Sequence, residues 1–107
     1  MLGKLIPCGG GPPLPLLKSN LLVGRKPECD LTISCSTVSG RHCLLEFIDG
    51  WWWVRDLESK NGTAVNGHRC DKRRIVPNDI LSVGRQRMVV DYQATARMGR
   101  GSMALVA

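Results

Sequence analysis

The chain has 107 residues, 43% of them hydrophobic, with 15 Lys and Arg against 9 Asp and Glu and a formal net charge of +6. That suits one globular domain with a single core; there is no long charged block, and no apolar run approaches the roughly 18 residues of a membrane span. The basic excess favours anionic partners of whatever chemistry.

In chain order, the first eight residues offer too short an apolar stretch before a run of glycines and prolines to be a signal peptide, so a cytoplasmic location is the default. Residues 9–13 read as a turn joining two early strands. Leu21, Leu22 and Val23 then form a strand that gives way to a loop at Gly24 and Arg25. Asp49-Gly50 separates the apolar stretch 43–48 from 51–54, and Asn66-Gly67 separates 63–65 from 68–70. Both dipeptides tolerate positive φ, so each pair is expected to be a tight hairpin. Within the run Trp51, Trp52, Trp53 and Val54, strand alternation puts Trp52 and Val54 on one face and the other two tryptophans on the opposite one, so at least one tryptophan belongs to the core. Pro77, Asn78 and Asp79 introduce a strand over 80–83, and 88–92 supplies a closing strand. Turn signals at roughly 8 to 12 residue spacing, with short segments rich in Val, Ile, Leu and Trp between them, predict an all-β sandwich or barrel. The domain spans 1–93, and 94–107, with small residues and glycines, reads as a flexible C-terminal tail.

Several polar groups stand on separate turns between these apolar runs, and none is a good nucleophile. Arg25 sits at a strand end, where its planar guanidinium suits a bidentate grip on phosphate. Ser39 can donate one hydroxyl hydrogen bond, and Gly40 beside it lets backbone approach closely. Lys60 adds a mobile point charge. Asn61 carries donor and acceptor on one amide, the pair needed to clamp a peptide main chain. Together they suit a phosphate and the chain that carries it.

The order Gly24-Arg25, then Ser39-Gly40-Arg41-His42, then Asp56-Leu57-Glu58-Ser59-Lys60-Asn61-Gly62-Thr63, then Asn66-Gly67 resembles the forkhead-associated (FHA) domain over residues 2–92. The resemblance implies a sandwich of two antiparallel-rich sheets with about eleven short strands, and a module that reads phosphothreonine peptides in signalling. It implies that Arg25 and Ser39 hold the phosphate, with Gly40 beside them. Asn61 would hold the peptide main chain, and Lys60 would lie next to the phosphate or the following residue. Gly24, His42, Gly62 and Thr63 match positions that shape the loops, His42 as an imidazole pinning the loop of Ser39. One position departs from the pattern: the residue after the serine is often Arg, Lys or Asn in this family and is Gly40 here, which implies weaker phosphate binding.

Other chemistries find less support. Cys8, Cys29, Cys35, Cys43 and Cys70 are an odd set without a C-x-x-C pair, against both a disulfide framework and a zinc site, so reduced thiols and no metal or cofactor are expected. His42 and Cys43 are neighbours on a strand and point to opposite faces, which excludes a nucleophilic dyad. Lys72, Arg73 and Arg74 form the only tight basic cluster, so a nucleic-acid-binding β domain is the rival reading, with a degenerate FHA-like scaffold for an unphosphorylated partner behind it. The expected protein is a non-enzymatic, monomeric phosphothreonine-peptide reader.

Overall fold

The computed structural model of the chain describes residues 1–94. Eleven strands make up two sheets: β1 (Lys4–Pro7), β2 (Leu14–Pro15), β3 (Asn20–Gly24), β4 (Leu31–Thr32), β5 (Cys43–Ile48), β6 (Trp51–Asp56), β7 (Thr63–Val65), β8 (His68–Arg69), β9 (Lys72–Ile75), β10 (Ile80–Val83) and β11 (Gln86–Asp91). One sheet runs β2-β1-β11-β10-β7-β8 and the other β4-β3-β5-β6-β9. Every strand pairing among the described residues is antiparallel except β3 with β4, which is parallel. This is the antiparallel-rich sandwich that the FHA resemblance implies, and the first of the two architectures, sandwich or barrel, that the strand pattern allows.

The two hairpins form where the dipeptides stand. Asp49 and Gly50 have φ of 51 and 85, and Asn66 and Gly67 have φ of 52 and 82, the double positive φ of a type I′ turn whose twist matches the flanking strands. Between the sheets lies a core built from alternate residues: Leu21 and Val23 of β3, Leu45 of β5, Trp52 and Val54 of β6, Leu81 and Val83 of β10, Val90 of β11. Trp52 is fully buried and its indole N–H donates to Leu2 O, while the Phe47 ring packs against it tilted by 51° at 5.1 Å between centroids. Trp51 and Trp53 lie half-buried on the outer face, covered by Arg74 at 4.6 Å and Lys72 at 5.6 Å respectively.

Two elements depart from expectation. Residues 72–75 form a strand although three of the four are charged. Lying at a sheet edge, β9 leaves Lys72, Arg73 and Arg74 in water and buries only Ile75, so the alternation that marks a strand is missing. Strand β4 is two residues long and too short to read by pattern. Of the expected tail at 94–107, Ala94 packs against the core, and the rest lies outside the described residues.

Strand register gathers the informative loops at one end. Val23 of β3 pairs with Cys43 of β5, Cys43 with Asp56 of β6, and Val83 of β10 with Thr63 of β7. The loops that follow β3, precede β5 and join β6 to β7 therefore leave the sandwich together.

Candidate functional site

Close backbone approach begins the site. A Cβ on Gly24 would stand 2.1 Å from Gly40 O, so only glycine lets the 39–40 loop lie against the end of β3. With that contact made, Arg25 N–H donates to Ser39 O at 2.9 Å and Lys26 N–H to Gly40 O at 3.2 Å. Arg25 leaves this ladder with an exposed side chain that forms no ion pair among the described residues.

His42 ties the second loop to the third. Its ring is fully buried; Nδ1 accepts from Ser39 N–H at 3.0 Å, and Nε2 therefore carries the proton and donates to Gly62 O at 2.8 Å. Both ring nitrogens are committed to backbone, which leaves none for proton transfer to a ligand.

The loop between β6 and β7 is folded around one carboxylate. Asp56 accepts from Ser59 Oγ at 2.5 Å, Thr63 Oγ1 at 2.7 Å and Ser59 N–H at 3.1 Å, and Ser59 Oγ in turn accepts from Gly62 N–H at 3.0 Å. Burial pulls the Asp56 pKa upward, but the donors from Ser59 and Thr63 outweigh it and hold the group below the usual carboxylate range. Gly62 has φ of 87, and a Cβ there would meet Arg69 Nε at 2.6 Å. Asn61 does not share that positive φ; its conformation is ordinary and its side chain is used for bonding.

These three loops close on a cleft of about 140 Å³ lined by Arg25, Ser36, Thr37, Val38, Ser39, Lys60 and Asn61. Ser39 Oγ accepts from Lys60 N–H at 3.0 Å, leaving its own hydrogen for a ligand. Asn61 Nδ2 donates to Thr37 O at 2.8 Å, leaving Oδ1 and a second N–H available. Arg25 and Lys60 bring positive charge, and no carboxylate lines the cleft. A larger recess of about 620 Å³ on the other side of the 57–62 loop mixes Arg55, Arg69 and Lys72 with Asp56, Glu58 and Asp71, so its field largely cancels. We take the smaller cleft as the anion site because its charge is of one sign and its donors converge.

Arg25, Ser39, Lys60 and Asn61 thus come together as lining residues, whereas Gly40 lies beside the cleft, its carbonyl accepting from Lys26 N–H and the Cys29 thiol. Gly24, His42, Gly62 and Thr63 stand behind the wall. Sequence reasoning missed the work of Asp56 and Ser59, although an Asp followed three residues later by Ser is a recognisable turn signature. It missed Gly84 as well. With φ of 61, Gly84 lies where a Cβ would stand 2.4 Å from Thr37 O, and Arg85 N–H next to it donates to Thr37 Oγ1 at 3.0 Å, so the β10–β11 turn braces the cleft from outside. No local signal announces that contact.

Fold and cleft define a class: an all-β sandwich whose loops at one end present converging donors to an anion. The family follows from comparison, because an FHA domain model matches residues 21–84 and the chain belongs to that family. It is 35% identical over 74 residues to human proliferation marker protein Ki-67, covering 68% of this chain and 2% of that protein. To glycogen accumulation regulator GarA of Mycolicibacterium smegmatis it is 35% identical over 66 residues, 62% of this chain and 42% of GarA. The chain thus spans less than half the length of either relative. The N-terminal FHA domain of S. cerevisiae Rad53p, solved in complex with a phosphothreonine peptide, superposes with a TM-score of 0.76 at 22% identity, covering 87% of this chain and 94% of that one. That likeness shows a common fold.

Proposed function

We propose that this domain is a non-enzymatic module that binds phosphothreonine segments of partner proteins through the 140 Å³ cleft. The carrying observation is the convergence of Arg25, Ser39, Lys60 and Asn61 from separate loops onto one cleft without carboxylates, each with capacity left over after its fold-internal bonds. In this reading Arg25 grips the phosphate as a planar fork, Ser39 donates its hydroxyl hydrogen to a phosphate oxygen, and Lys60 adds charge from the opposite loop. Asn61 holds the main chain beside the phosphothreonine with its free Oδ1 and N–H. Gly24, His42, Gly62 and Thr63 keep these groups in register. Family membership and the phosphothreonine peptide bound to the Rad53p domain support the same reading.

Among the described residues, the side chains that could suggest catalysis are otherwise engaged. Cys43, the thiol beside His42, faces the core, and its burial pushes its pKa up to about 12. Lys72, Arg73 and Arg74, the cluster on which a nucleic-acid reading would rest, do not line the cleft, and the neighbouring tryptophan faces are already covered by cations. In this reading the function is phosphorylation-dependent protein association in signalling, in the cytoplasm and by a monomer.

Titration with a degenerate phosphothreonine peptide library, run beside its unphosphorylated copy, tests the proposal. Binding of the phosphorylated pool alone is the expected result. Equal binding of both pools, or a preference for single-stranded DNA with a steep salt slope, would overturn it.

A further inference from the structure

The position after Ser39 carries no side chain, yet the room it would take is filled. A Cβ on Gly40 would stand 2.9 Å from Lys26 Cε and 3.2 Å from its Cδ and Cγ, so the Lys26 stem lies along the Gly40 backbone. Main-chain bonds hold it in that place. The pairing of Arg25 with Ser39 and of Lys26 with Gly40 runs the two segments side by side. Cys29 N–H then donates to Lys26 O at 3.0 Å, and the Cys29 thiol donates to Gly40 O at 3.1 Å. Gly40 itself is not in the left-handed region, so backbone conformation does not demand glycine there. What a larger residue would have to displace is the Lys26 chain.

We propose that Lys26 is a further phosphate-contacting cation of the cleft, reaching over Gly40 and supplying the charge that position 40 lacks; this rests on the phosphopeptide reading above. Gly40 is bonded to Ser39, whose hydroxyl faces the cleft, and the Lys26 ammonium is one bond beyond the Cε that touches the Gly40 position. Lys26 is not itself among the residues lining the cleft, so the ammonium has to swing past Gly40 to reach a bound phosphate. Lys26 is exposed and forms no ion pair among the described residues, so its charge is not committed elsewhere. A phosphate dianion has three oxygens to satisfy, and Arg25 with Ser39 leaves part of it open to a cation from the Gly40 side, as Lys60 approaches from the 59–62 side. Glycine at 40 and lysine at 26 are then one arrangement: the cation stands on the loop that follows β3 instead.

The experiment measures affinity for the best phosphothreonine peptide from the degenerate library, with melting curves for each variant. Lys26→Met keeps most of the stem and removes the charge; it is expected to bind about fivefold more weakly with an unchanged melting temperature, the upper end for an exposed charge pair. Lys26→Arg is expected to bind within about twofold of wild type. Gly40→Arg should change wild-type affinity by less than about twofold, because it exchanges one cation for another, yet recover most of the loss in the Lys26→Met background. Lys26→Met binding within about 1.5-fold of wild type would overturn the inference. So would a gain of about fivefold from Gly40→Arg in the wild type, since the two cations would then occupy separate places. Equal weakening by Lys26→Met and Lys26→Arg with lowered melting temperatures would assign Lys26 to packing and overturn it too. Failure of the wild type to distinguish phosphorylated from unphosphorylated pools would instead remove the phosphopeptide reading itself, and this inference with it.

Discussion

Ser39 and Asn61 each divide their hydrogen-bonding capacity between fold and cleft: Ser39 Oγ accepts from Lys60 N–H and keeps its proton, and Asn61 gives one N–H to Thr37 O and keeps the rest. Such groups are already oriented before a ligand arrives, which lowers the ordering cost of binding. The Arg25 side chain has no such internal partner among the described residues, so it should be separable from stability. Arg25→Ala is expected to weaken phosphopeptide binding by at least about tenfold, since a charge-assisted contact is worth roughly 1.5 to 3 kcal/mol. Calorimetric titration beside a melting curve checks both halves; affinity within twofold of wild type would remove Arg25 as the phosphate clamp. His42 is the reverse case. His42→Ala leaves buried Ser39 N–H without its partner, takes from Gly62 O one of its two donors while Gly84 N–H remains at 3.1 Å, and opens a cavity at a fully buried ring, so a loss of about 3 kcal/mol in stability is expected in chemical denaturation. Binding should weaken as well, because the loops of Ser39 and of Lys60 are no longer tied together.

Among the elements, strand β3 matters for where it stops. Its last residue, Gly24, touches Gly40 O so closely that Gly24→Ala must push the 39–40 loop away and break the two-bond ladder that follows. Backbone rather than a flexible side chain stands in the way, so a destabilisation of roughly 3 kcal/mol is expected, with phosphopeptide binding lost at temperatures where the domain is still folded. Urea unfolding and titration at 10 °C would separate the two effects, and an Ala variant of wild-type stability would contradict the packing described. Strand β5 makes a second test possible through its cysteine. Cys43 faces the core and burial raises its pKa to about 12, while Cys8 is exposed and Cys35, held by the Thr37 hydroxyl below the usual thiol range, is half-buried in a separate recess beside Ile33, Gln86 and Met88. Native alkylation followed by peptide mass mapping should modify Cys8 and Cys35 and spare Cys43. Rapid labelling of Cys43 in folded protein would show that the β5 register is wrong.

For the molecule as a whole, two pH dependences should separate cleanly. Asp56 has a folded pKa below its unfolded value of about 3.9, so its contribution to stability is fully present above that pH and is lost as pH falls through the folded pKa. Asp56→Asn is therefore expected to be less stable than wild type at neutral pH, with the gap narrowing below about pH 4 in melting curves. Phosphopeptide binding should weaken earlier, below about pH 6, where the phosphate loses its second charge. Flat affinity between pH 5 and 7.5 in folded protein would count against phosphate as the ligand.

The sequence by itself determined the parts of this protein that depend on near neighbours. Alternation put Trp52 on one face and Trp51 and Trp53 on the other, though it left to the structure which face is buried; Asp49-Gly50 and Asn66-Gly67 set the hairpins, and the spacing of Arg25, Ser39, Lys60 and Asn61 identified the family, because period and turn chemistry are local properties of the chain. Tertiary structure alone decided the rest. Strand β9 was hidden because an edge strand buries one residue in four and needs no alternation. The reach of Lys26 over Gly40 and the bracing of Thr37 by Gly84 were invisible because they join residues far apart in sequence. Contacts of that kind arise only when two sheets pack and bring separate loops to one end, and it is there that a set of weak local signals becomes a single cleft.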